Sequence, residues 1–123
     1  MYFSDAELAC KCGCGFLPPA DFRSKLERLR ERFGKPLTVT SAARCPAYNS
    51  DPKVSLTGKT GPHTTGRATD FAVSHADALT LFDLARQQGF TGIGVQQKGA
   101  KRFLHLDDLP NAPGQPRPTI WSY

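Results

Sequence analysis

The 123-residue chain predicts a small α+β domain built on a mostly antiparallel sheet with two main helices. Three observations carry that expectation. Phe22, Leu26, Leu29 and Phe33 recur at helical spacing, as do Ala76, Leu79, Leu81, Phe82, Leu84 and Ala85 further on. Short β-branched or apolar runs at 37–41, 67–73, 92–96 and 102–106 read as strands lying outside those two stretches. The length suits one core and leaves nothing for a second.

Taken in order, residues 1–20 form a cysteine-containing segment that ends in Pro18-Pro19. Asp21 then offers an N-cap to a helix that runs to Gly34. Leu37-Thr38-Val39-Thr40-Ser41 reads as a strand that delivers Arg44 to its C-terminal end. From Pro46 to Pro62 the chain is rich in Asn, Ser, Gly, Pro and Lys without periodicity, the mark of a long and often functional loop. Arg67 to Val73 forms a strand, and Ser74 caps a helix that ends at Gly89. Gly92–Gln96 and Arg102–Leu106 read as antiparallel strands joined at Lys98-Gly99-Ala100-Lys101. Residues 109–123 hold four prolines and read as an irregular tail lying back on the domain through Trp121, a packing residue rather than a substrate platform.

Composition narrows the function. No run approaches the roughly 20 apolar residues of a membrane span, and the first residues lack the basic-then-apolar order of a secretory signal. The formal charge of +5 points to an anionic partner, which a bacterial wall or a nucleic acid equally supplies. Arg23, Lys25, Arg28, Arg30 and Arg32 alternate with Glu27 and Glu31 along one helix, however, which reads as a solvated face. A nucleic-acid-binding domain therefore has little support, and a monomer is expected.

Chemistry concentrates in His63, Asp70 and His105. A catalytic zinc takes three N/O protein ligands and keeps its fourth position for water or substrate. His63 lies in a glycine-bearing loop, Asp70 on the strand that follows, and His105 on a later strand. Strand alternation puts Asp107 on the same face as His105 and turns Leu104, Leu106 and Asp108 away. Asp107 is thus the candidate to take the proton of an activated water, with Asp108 and the residues of the 46–62 loop open as alternatives. His75 stands outside this pattern and reads as an ordinary structural residue.

At these residues the chain resembles the zinc D-alanyl-D-alanine carboxypeptidases and their relatives. Phage and bacterial peptidoglycan endopeptidases belong to that group, which shares its fold with the hedgehog signalling domain. The motif Ser-x-His-x-x-Gly-x-Ala-x-Asp is met from Gly61 to Asp70 except for its leading serine, which is Gly61 here. Ser41-Ala42-Ala43-Arg44 resembles the serine and arginine ahead of it, and His105-Leu106-Asp107 the late histidine and acid. Phe3 to Gly15, with Cys10-Lys11-Cys12-Gly13-Cys14, resembles the opening of phage-borne members. The resemblance implies Zn2+ held by His63, Asp70 and His105, with Arg44 and Ser41 binding substrate and Arg44 also catalytic, steadying a substrate carboxylate or the anionic intermediate. It also implies action on peptidoglycan stem peptides or cross-links, in the wall or periplasm after phage-mediated release. One departure stands out: many carboxypeptidase members keep an acid three residues before the last histidine, where this chain has Arg102. That departure supports a rival reading, a metal-containing wall-binding module without turnover.

Cys10, Cys12, Cys14 and Cys45 complete the inventory. They can close two disulfides, bind a structural zinc or stay reduced. The C-x-C-x-C spacing is unlike the C-x2-C knuckle, which favours an N-terminal segment stapled to the Cys45 loop after release from the cytosol.

Overall fold

A computed structural model describes residues 1–123. Its elements are α1 (Asp5–Leu8), α2 (Ala20–Phe33), β1 (Thr38–Ser41), α3 (Pro46–Asn49), a 3-10 turn (Pro62–Thr65), β2 (Ala68–Ala72), α4 (His75–Gln87), β3 (Gly92–Gln96), β4 (Phe103–Asp107) and β5 (Thr119–Ser122). The α+β class is as the sequence predicts. The strands make one sheet in the order β1-β2-β4-β3-β5, antiparallel except where β5 runs parallel to β3.

Alternation along the strands divides the sheet into two faces. Phe71, Ile93, Leu104 and Leu106 point to one face and join Phe22, Leu26, Leu29, Leu81 and Ala85 from the two long helices in a single core. Burying such side chains contributes about 1.5–3 kcal/mol each. The opposite face carries the polar residues and stays open. α2 stops at Gly34, whose positive φ of 81° lets its N–H reach back to the Arg30 carbonyl. Three of its basic residues are tied within the molecule: Arg23 pairs with Asp5, Lys25 with Asp108, and Arg30 lies over the Tyr2 ring.

Three expectations change. Asp21 does not cap α2; Pro19 holds that position, and Asp21 instead pairs with Arg67. The 46–62 loop contains the short helix α3, with Pro46 at its first position and Cys45 as its cap. The tail is not irregular throughout, because residues 119–122 add an edge strand beside β3. The prolines at 110, 113, 116 and 118 disguised that strand in the sequence, because proline is confined to strand edges and ends.

Candidate metal centre

One row across the open face of the sheet builds the site. Ser41, Asp70, His105, Gly94 and Trp121 are successive partners from β1 to β5. The register between β1 and β2 slips after Val39, so that Ser41 instead of Thr40 faces Asp70. An inserted residue of this kind re-aims the next side chain. His63 enters from the 3-10 turn above Asp70.

Each histidine is fixed by its far nitrogen. The Ala42 carbonyl lies 2.7 Å from His63 Nδ1. A carbonyl only accepts, so Nδ1 carries the proton and Nε2 presents a lone pair, 3.2 Å from Asp70 Oδ1. Asp107 lies 2.8 Å from His105 Nε2 and is itself gripped by Arg117 through Nε and Nη2, both at 2.9 Å. An ionised carboxylate likewise only accepts, which leaves His105 Nδ1 to face Asp70 Oδ1 at 3.1 Å. Two imidazole nitrogens and a carboxylate thus converge, their ligand atoms all within 4.8 Å of one another. Three acceptors gathered this closely require a positive charge among them, and a divalent cation fits that donor set.

The titration behaviour has the same origin. Burial pushes the Asp70 carboxyl up, but its hydrogen bonds with His105 and His63 win and hold it well below the usual carboxylate range. Burial lowers His105, while Asp107 and Asp70 together raise it above the ordinary value.

Arg44 lies beside the set. Its Nε donates to Ser41 Oγ at 2.8 Å, its Nη1 donates to Asn49 Oδ1 at 3.0 Å, and its Nη2 lies 3.6 Å from Asp70 Oδ2. Asn49 is fully buried and also donates to Thr57 Oγ1 at 2.8 Å. Thr57 in turn explains Gly61, because a Cβ at that position would overlap the Thr57 hydroxyl. The threonine occupies the space into which a serine at 61 would project.

His63, Asp70, His105 and Arg44 line a cleft of about 830 Å³ that is walled by Phe103, Arg117, Trp121, Tyr123 and loop residues 54–57. Asp70 is the only acidic side chain lining it. The predicted residues fall in three places. His63, Asp70, His105 and Arg44 meet at the cleft, Ser41 braces Arg44 from below, and Asp107 is fully buried on the side of His105 away from the other ligand atoms. Asp107 does share a face with His105 as strand alternation predicts, yet it does not line the cleft, and so its position does not suit a group that meets substrate directly. Asp108 turns the other way and binds Arg67 and Lys25. Arg102 bonds the Gly99 carbonyl and His75, away from the cleft.

Sequence reasoning missed Asn49, Arg117 and Tyr123. Gly92 and Gly94 were the available signal for part of this. A Cβ on Gly92 would strike the Asp107 carboxylate and come within 2.6 Å of Arg117 Nε, and one on Gly94 would lie 2.7 Å from Trp121 Nε1. The bare strand is what lets these side chains lie flat against the sheet.

Three N/O donors at an open cleft are a set able to hold a cation while leaving one position free, the arrangement of catalytic rather than closed structural metal sites. The family model described as Peptidase M15 matches residues 1–107, and the chain belongs to that peptidase family. Its members are zinc metallopeptidases, and the His63, Asp70 and His105 group is able to hold such an ion. A search of curated proteins finds no match. The family match stops at the end of β4, so Arg117, Trp121 and Tyr123 come from outside it.

Proposed function

We propose that the protein is a zinc peptidase that hydrolyses a peptide bond in bacterial peptidoglycan, as a carboxypeptidase or endopeptidase of the stem peptides or their cross-links. The convergence of His63 Nε2, His105 Nδ1 and Asp70 Oδ1 in a cleft edged by a braced arginine carries this reading. Zinc held there supplies a Lewis acid for the scissile carbonyl and lowers the pKa of a water to about 7. Asp107 and Arg117 fix the His105 tautomer so that Nδ1 stays free. Ser41 and Asn49 hold the Arg44 fork, which suits a peptide carboxylate or the anionic oxygen that develops during hydrolysis. Trp121, with its ring 5.0 Å from that of His105, walls the cleft.

We assign Asp107 to positioning His105. The resemblance of residues 3–15 to phage-borne members supports an endolysin that acts as a monomer on the wall or periplasm after phage-mediated release. No helix is long and apolar enough to cross a membrane. A second reading, a wall-binding module that holds metal without turnover, is favoured by Arg102 and by the absence of any acid but Asp70 in the cleft. Incubation with purified walls, followed by mass spectrometry of the released muropeptides, decides between them. Hydrolysis expects new peptide termini that vanish with chelator, and the products identify the bond as D-Ala-D-Ala, L-Ala-D-Glu or a cross-bridge. Wall binding without new termini overturns the peptidase reading.

A further inference from the structure

The four cysteines lie away from the cleft and play no part in the chemistry above. We propose that Cys10, Cys12, Cys14 and Cys45 form a second metal site, a closed tetrahedral centre for zinc that ties the N-terminal segment to the loop bearing Arg44.

Geometry carries the assignment. All four sulfurs lie within 4.8 Å of one another, with Cys10 and Cys12 Sγ at 3.4 Å and Cys12 and Cys45 Sγ at 3.6 Å. Zinc–sulfur bonds of about 2.3 Å in a tetrahedron put neighbouring sulfurs about 3.8 Å apart. All four residues are free thiols, and they surround one point instead of forming two separate couples. An extended C-x-C-x-C run would space its outer Cα atoms about 13 Å apart. Here Gly13 and Gly15, with φ of 85° and 87°, turn the chain back on either side of Cys14. Left-handed glycines thus supply the curl that a C-x2-C knuckle obtains from its spacing.

The backbone is arranged for negative sulfur. Cys45 N–H donates to Cys10 Sγ at 3.3 Å, and Tyr48 N–H donates to Cys45 Sγ at 3.4 Å. A thiol is a weak donor and a weak acceptor, so four neutral thiols have little reason to cluster by themselves. A soft divalent cation supplies one, with each thiol releasing its proton to solvent on binding. The site has a structural consequence for the cleft. Cys45 follows Arg44 directly and caps α3, whose Asn49 braces the Arg44 guanidinium.

The test uses the full chain purified under reducing conditions, with zinc measured by mass spectrometry and cobalt as the spectroscopic probe. His63→Ala, which disables the histidine site, should retain one zinc per chain. Its cobalt form should show the intense near-ultraviolet charge transfer of a thiolate-rich tetrahedral site. Cys14→Ser, at an exposed ligand, should weaken that band and expose the remaining thiols to disulfide reagents. Should Cys14→Ser fail to fold, the His63→Ala protein and the unmutated chain still decide. Absence of the thiolate band in both, thiol reactivity unchanged by zinc or chelator, or recovery of the four residues as two disulfides overturns the proposal. A chain with one zinc and a thiolate spectrum upholds it even if the histidine site proves empty.

Discussion

The histidine cluster and the cysteine cluster differ in how they are held. Asp70 and His105 stand on two adjacent interior strands, paired directly across the ladder, and the helices pack against the other face of that sheet. Cys10, Cys12 and Cys14 stand on a glycine-bent loop and Cys45 on another, outside the strands of the sheet. The first set offers three ligands and an open cleft, whereas the second offers four and closes on itself. A site for turnover needs ligands placed by a rigid scaffold and one position left free. A site made from loops has no such scaffold, and the cation itself orders the chain.

The largest expected effect tests this contrast. His63→Ala should lose one zinc and reduce wall hydrolysis by roughly 10³-fold or more, since a metal contributes several kcal/mol of transition-state stabilisation. Circular dichroism should show an intact fold, because the core lies on the opposite face. Unfolding of this variant would break the distinction between a scaffolded site and a metal-ordered one.

Arg44 links the two regions, so its replacement sharpens the comparison. Arg44→Lys keeps the charge but loses the fork to Ser41 and Asn49. A fall of about 10–100-fold in kcat/KM is expected, equivalent to one or two charge-assisted hydrogen bonds, with both metals retained. Steady-state kinetics on a soluble stem peptide and zinc analysis read the two outcomes separately.

Asp107 and Asp108 make an internal pair on one strand end. Asp107→Asn, by loosening His105, should weaken zinc affinity about 10–100-fold, measured by competition with a chelator. If zinc is held normally while kcat falls by about 10²–10⁴, Asp107 handles the proton itself and the positioning role is wrong. Asp108→Asn should instead lower thermal stability by about 1.5–3 kcal/mol through its bonds to Arg67 and Lys25, leaving the rate per folded molecule unchanged.

The smallest effect concerns acid. Burial pushes the Asp107 carboxyl up, but hydrogen bonds from His105 and Arg117 outweigh it and hold it at about 2, below its ordinary 3.8. A depressed folded value favours the charged form, so this contribution is complete above pH ~4 and disappears as pH falls through about 2. Metal-free Asp107→Asn should therefore show a flatter loss of melting temperature across that window than the unmutated apo protein. Parallel slopes would mean that the buried Asp107–Arg117 pair contributes nothing to acid sensitivity.

Much of the site was legible in the chain because its parts are local. Gly61 to Asp70 is one loop and one strand, and the alternation of His105, Leu106, Asp107 and Asp108 sets their faces wherever the strand lies. Helical periodicity in α2 and α4 likewise follows from the residues alone. The bulge that seats Ser41 beside Asp70, the parallel strand that returns Trp121 to His105 and the Arg117 grip on Asp107 belong to another kind of fact. Each depends on the register between segments distant in sequence, which only the packed sheet specifies. The cysteines show both sides of that division: their residue type announced metal or disulfide chemistry, and the folded turn at Gly13 and Gly15 decided which sulfurs could share one centre. Side-chain chemistry is written in the sequence, while convergence on a point depends on backbone geometry that the tertiary structure alone supplies.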